Sequence, residues 1–169
     1  MAQLILTVVG PDRPGLVRLV SEAVAARGGN WLESRMARLG GQFAGIVMVE
    51  APASLAAELE KLADDGLLVT VLVAGGAPET IPSGTVRTLE VVGNDRPGIV
   101  HEVTQVLAAR GVNIEDMSTN VTNGAFSGGQ LFRANIVVRA PSEAAMQEVS
   151  AALELLGPDM MVDIQAAEG

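Results

Sequence analysis

Residues 10–15 read GPDRPG and residues 93–98 read GNDRPG, an offset of 83 residues. The same offset pairs AARGGN at 25–30 with AARGVN at 108–113, and between Gly10 and Trp31 the two copies agree at 12 of 22 positions. Agreement on that scale means that one supersecondary unit is written twice. Further on the register slips. GQFAGIVMVEAP (41–52) corresponds best to GQLFRANIVVRAP (129–141), and TNGAFSGG (122–129) reads as a loop insertion in the second copy. Between the copies, AGGAPETIPSG (74–84) is rich in glycine and proline and has no hydrophobic period, which marks a linker. The expected organisation is therefore a first domain over 1–76, a linker over 77–84 and a second domain over 85–169.

Each copy carries the same run of elements. Residues 3–9 and 85–92 are short apolar, β-branched runs that end near glycine and read as strands. Apolar residues then recur at three- and four-residue spacing, Leu16, Val20, Ala23 and Val24 in one copy and Ile99, Val103, Val106 and Leu107 in the other, the mark of amphipathic helices. Both helices run into an Arg-Gly pair, Arg27-Gly28 or Arg110-Gly111, a cation beside a glycine able to take a left-handed cap. Two hairpin strands follow in each copy, near 31–39 and 42–50, then 113–122 and 130–139. An Ala-Pro pair introduces a second helix, with Leu55, Leu59 and Leu62 on one face or Met146, Val149, Leu153 and Leu156 on the other copy's face. Last strands are expected near 67–73 and 160–165. The order β-α-β-β-α-β, twice, predicts an α+β chain of two ferredoxin-like units, each an antiparallel sheet with both helices on one face.

The composition removes whole classes of chemistry. The 169 residues contain no cysteine and a single histidine, His101. Thiolate nucleophiles, disulfides and sulfur-ligated metal sites are excluded, and no metal site or cofactor is expected. A net charge of −9, from 20 acidic and 11 basic residues, opposes a phosphate backbone, so direct nucleic-acid binding is not expected. The apolar runs are too short to span a bilayer and the amino terminus lacks a basic leader region, so the expected location is cytoplasmic, without membrane association. Only 2% of residues are aromatic, and two halves of such size have small cores. Mutual packing or homo-oligomerisation is expected.

The repeated loop is the place to look for binding. Proline is pre-set for a first helical turn and glycine lets another group approach the backbone, so the turn can present helix-start N–H groups to a carboxylate or phosphate. Asp12 and Asp95 are read first as side-chain caps of these helices, with ligand contact as the alternative. Arg13 and Arg96 are read as solvated surface that can also reinforce an anion site. Asn30 and Asn113 open the second strand of each unit, where an amide can donate to a carboxylate and accept from an ammonium group, or simply serve the turn. Convergence of loop and asparagine would suit a zwitterion, which suggests a free α-amino acid. His101 stands opposite Arg18 in the repeat and is expected to be exposed, without a chemical role. Trp31, opposite Ile114, is expected either in an interface or partly buried in the core.

The G-x-D-x-P-G loop after a first strand, the amphipathic helix and the glycine-x-asparagine that opens the second strand together resemble the ACT domain. Both copies match, over Leu4 to about Val73 and Thr85 to about Ile164, and the two-domain chain resembles the glycine cleavage system transcriptional repressor family. The resemblance implies a non-catalytic regulator that senses a small amino acid, with glycine a candidate, and acts through a DNA-binding transcription factor rather than on DNA. It assigns ligand contact to Asp12, Arg13, Pro14, Gly15 and Leu16 with Asn30, and to Asp95, Arg96, Pro97, Gly98 and Ile99 with Asn113. Pro11 in place of Asn94, and Trp31 in place of Ile114, imply that the copies need not bind alike.

Two other readings share this order of elements. An acylphosphatase would use an arginine and an asparagine, which Arg13 and Asn30 supply, but the glycine-glutamine-glycine loop of those enzymes is missing and an aspartate in the loop repels phosphate. An RNA-recognition module needs aromatic platforms and positive charge, which a chain with three phenylalanines and excess acid lacks. A ligand-free scaffold of paired ACT units is the remaining alternative.

Overall fold

The computed structural model describes residues 1–74, 83–124 and 129–166, and the chain divides into two compact units, Met1–Pro78 and Glu79–Gly169. Most of the expected linker, residues 77–82, and the centre of the expected loop insertion, residues 125–128, lie outside the described residues.

In the first unit, β1 (Ala2–Pro11), α1 (Leu16–Ala26), β2 (Asn30–Leu39), β3 (Gln42–Ala51), α2 (Leu55–Glu60) and β4 (Leu68–Val73) follow one another, and a 3-10 turn over Lys61–Asp65 extends α2. The second unit repeats them as β5 (Thr85–Asn94), α3 (Ile99–Ala108), β6 (Asn113–Asn123), β7 (Gln130–Ala140), α4 (Glu143–Glu154) and β8 (Met161–Ala166). The strand orders are β2-β3-β1-β4 and β6-β7-β5-β8, antiparallel throughout. This is the βαββαβ arrangement expected from the element order. Even the irregularities repeat, since the register of β2 on β3 shifts between Trp31 and Glu33 and that of β6 on β7 between Ile114 and Asp116.

Period-two burial explains why the helices lie on one face. Along β1, Leu4, Leu6 and Val8 are buried and pack with Leu16, Val20 and Val24 of α1 and with Leu55 and Leu59 of α2. The second core assembles Leu89 and Val91 of β5, Ile99, Val103 and Leu107 of α3, Ile136 and Val138 of β7, and Met146, Val149 and Leu153 of α4. Trp31 takes the second of its two expected places: it is half-buried against the first core.

The opposite faces of the sheets differ. In the first unit that face carries Ile46, Leu68 and Leu72, each more than half exposed. At the row matching Ile46 the second unit carries Glu90, Asn135 and Asp163, with Glu90 paired to Arg133, and at the row matching Leu72 it carries Thr88 and Gln165, whereas the row matching Leu68 keeps an exposed apolar residue, Met161. No helix among the described residues is long and apolar enough to cross a membrane.

Leu153 is fully buried on α4 whereas its neighbour Leu155 is 86% exposed. Leu153→Ala should lower the unfolding free energy by about 2–5 kcal/mol. Leu155→Ala should stay within about 0.5 kcal/mol of wild type, and urea unfolding followed by circular dichroism distinguishes the two.

Candidate functional site

Both copies of the D-R-P-G turn enter a helix through a left-handed glycine. Gly15 has φ 93° and Gly98 φ 88°, a region in which a side chain is strained. These glycines are themselves the N-cap residues, and neither helix has a side-chain cap hydrogen bond. Asp12 and Asp95 are therefore not helix caps: a left-handed N-cap turns the chain so that the carboxylate three residues upstream is directed elsewhere. The Asp12 carboxylate accepts instead from Arg38 Nε on β2.

The first helical hydrogen bonds are Leu19 N–H to Gly15 O and Glu102 N–H to Gly98 O, both 3.0 Å. The N–H groups of Leu16, Val17 and Arg18 precede the first of these and have no backbone acceptor among the described residues. In the second unit the same holds for Val100 and His101, while Ile99 N–H reaches Arg96 O at 3.3 Å. The side chains of Leu16 and Ile99 are buried in their cores, so only their backbone can meet a ligand. Pro14, Gly15, Pro97 and Gly98 are exposed.

Two straps hold each loop. Asp12 N–H donates to Gly41 O at 2.9 Å and Asp95 N–H to Gln130 O at 2.8 Å, tying the loop to the hairpin on its flank. An arginine ties the other side: Arg13 donates to Asp65 O, and Arg96 to Leu156 O at 3.2 Å and to both oxygens of Glu102. Arg13 is exposed, as expected, and Arg96 is half-buried, but both also tie down the loop. Each reaches back to the turn after its unit's second helix, because a guanidinium offers several donors in a fixed fork to orphan carbonyls there.

In the second unit this strap is electrostatic. The hydrogen bonds from Arg96 hold the Glu102 carboxyl below its ordinary range, and Glu102 in turn raises the Arg96 guanidinium. Asp159, in the turn before β8, is lowered chiefly by accepting from Asn94 N–H, with Arg96 adding to the effect.

The asparagines lie elsewhere. Asn30 and Asn113 are exposed first residues of β2 and β6. Asn113 is opposite Arg139, which is opposite Val86 near the start of β5, whereas the loop leaves β5 at Asn94. Eight residues of strand separate those rows, about 26 Å at 3.3 Å per residue. Asn30, Glu50 and Gln3 stand in the same relation to Pro11 in the first unit. Loop and asparagine do not converge within a unit, since the α1 or α3 crossover returns the chain to the far end of the sheet.

What does adjoin Asn113 is a groove of about 450 Å³ between α3 and the start of β6, lined by His101, Thr104, Gln105, Leu107, Ala108, Val112, Asn113 and Ile114. His101 is exposed, as expected, but it stands on the rim of this groove. The helical spacing of His101, Thr104, Gln105 and Ala108 is the signal that places them on one stripe.

The ACT domain family matches twice, over residues 2–65 and residues 87–154. The chain belongs to the ACT domain family. Two such domains in tandem account for both sheets and their helices. The glycine cleavage system transcriptional repressor of Escherichia coli (strain K12) is 23% identical over 159 residues, 90% of this chain and 83% of the relative, and the Shigella flexneri repressor matches equally. A crystal structure of an unknown protein from Galdieria sulphuraria is 33% identical, with a TM-score of 0.83 and 99% of both chains covered. A crystal structure of a candidate glycine cleavage system transcriptional repressor has the same fold, with 21% identity, a TM-score of 0.70 and coverage of 99% of this chain and 98% of that one.

The depressed Glu102 and Asp159 carboxyls set a direction for acid sensitivity. A group lowered in the folded state stabilises the fold above its unfolded value and loses that contribution as pH falls through the folded value. Melting temperature should therefore fall as pH drops through and below the ordinary carboxylate range. Glu102→Gln should show a shallower fall than wild type in calorimetric scans across that range.

Proposed function

We propose that this protein is a non-catalytic regulator in the cytoplasm that binds a small amino acid and, by protein contact, modulates a transcription factor of glycine cleavage or one-carbon metabolism. The observation that carries the reading is the open helix start found in both units, where the amides of Val17, Arg18, Val100 and His101, next to a left-handed glycine, have no backbone acceptor among the described residues. Such amides and the helix dipole favour a carboxylate, each contact contributing roughly 0.3–1 kcal/mol at an exposed site. Asp12, Arg13, Pro14, Gly15 and Leu16, with their counterparts Asp95, Arg96, Pro97, Gly98 and Ile99, shape that anion site, the arginines by holding the loop and not by touching the ligand. Asn30 and Asn113, at the far end of each unit, supply the complementary amide from a neighbouring unit of a second chain, so the reading includes a homo-oligomer.

The relatives that carry the name of glycine cleavage system transcriptional repressor support the regulatory part of this reading. The net charge of −9 supports action through a protein and not on nucleic acid. Control of this kind requires the ligand to favour one of two states, typically with 5–150-fold coupling.

Isothermal titration of the purified chain with glycine, alanine, serine and larger amino acids tests the proposal. Heat on addition of at least one, and a change of five-fold or more in affinity for a transcription-factor partner in its presence, are expected. No heat with any amino acid would leave the ligand-free scaffold, and hydrolysis of an acyl phosphate above background would replace both with an enzyme.

A further inference from the structure

The groove beside Asn113 carries information about the ligand that the repeated loop does not. Its floor is apolar, formed by Leu107 and Val112, which are buried, and by Ala108 and the half-buried Ile114. Its rim carries polar groups: the Gln105 and Asn113 amides, the Thr104 hydroxyl and the imidazole of His101. No aspartate, glutamate, lysine or arginine lines it. Thr104 Oγ spends its proton on backbone, donating to Val100 O at 2.9 Å and His101 O at 3.1 Å, and so has only acceptor capacity left for a ligand. An acceptor hydroxyl beside two amides matches a head group with both ammonium and carboxylate, while the floor matches a hydrocarbon body.

The first copy carries different residues at these positions. By the offset of the repeat, His101 and Gln105 are replaced by Arg18 and Glu22, which pair with each other at 2.6 Å, and Val112 by Gly29. Ile114 is replaced by Trp31, whose ring packs on the first core. Charge and bulk therefore differ at four of the positions that form the groove.

We infer that the α3–β6 groove of the second unit selects an α-amino acid with an aliphatic side chain, holding that side chain on Leu107, Val112 and Ile114 and its ammonium at Thr104 and Asn113, with the carboxylate shared between Gln105 and the helix-start amides of a unit of a second chain. The inference rests on the amino-acid reading above and narrows it. Glycine fills little of 450 Å³ and leaves the floor wet, whereas each buried methylene strengthens binding about fourfold.

The test is calorimetric titration of the full chain with L-leucine, L-valine and glycine, using wild type, Ile114→Trp and Gln105→Glu. The two substitutions install the first copy's residues, and Gln105 is exposed on a helix, so Gln105→Glu keeps the fold if Ile114→Trp does not; thermal melts check both. Leucine or valine should bind at least tenfold more tightly than glycine, and each variant should weaken that binding tenfold or more. Glycine binding as tightly as leucine, or unchanged leucine binding in a folded variant, overturns the groove assignment and leaves amino-acid sensing intact. Absence of heat with all three and with every other amino acid overturns both.

Discussion

The architecture turns on one backbone constraint, met once in each unit. The chain must leave a central strand, pass over the end of the sheet and start a helix that lies back across it, within four residues. Gly15 and Gly98 make this possible by taking a left-handed conformation at the helix start. That conformation also denies the helix a side-chain cap. The unit's stability and its exposed helix-start amides therefore have the same origin, and neither can be altered by substitution at the glycine without the other. The rest of the loop compensates: a backbone bond to the neighbouring hairpin and an arginine reaching to the turn after the second helix hold in place a segment that has no packed side chain of its own.

The tandem copies keep one packing pattern while the surfaces they present differ. Cores and strand orders superimpose in pattern, and even the strand irregularities near Trp31 and Ile114 recur. The exposed sheet faces differ in polarity, and so do the strips beside Asn30 and Asn113. Where one copy places an ion pair and a tryptophan, the other leaves an apolar-floored groove. A duplicated unit relieved of binding at one position can keep its fold at small cost, because surface substitutions away from caps and cores change stability little.

The fold was readable because the GPDRPG and GNDRPG repeat set the register, and because the period-two and period-3.6 patterns on either side of it are strong. The side-chain partners were not. Asp12 has the spacing of a cap, but spacing does not report that the cap residue is glycine in a left-handed state. The ties that Arg13 and Arg96 make are invisible in sequence because their acceptors, Asp65 O and Leu156 O, lie 52 and 60 residues away. Asn30 and Asn113 are close to the loop in repeat logic, yet a helical crossover carries them to the opposite end of the sheet. The groove at His101 was missed since a lone histidine on a helix has no motif, although its i, i+3, i+4, i+7 stripe was available.

The central claim is that the helix-start amides of the repeated loop receive the carboxylate of a small metabolite. Titration of the ¹⁵N-labelled chain with an amino acid that gives calorimetric heat, followed by amide NMR, tests this most directly. The account predicts progressive, saturable shifts of the Gly98, Ile99, Val100 and His101 amides or of their first-unit counterparts Gly15, Leu16, Val17 and Arg18. Saturable binding that leaves all eight of those resonances unmoved would contradict it.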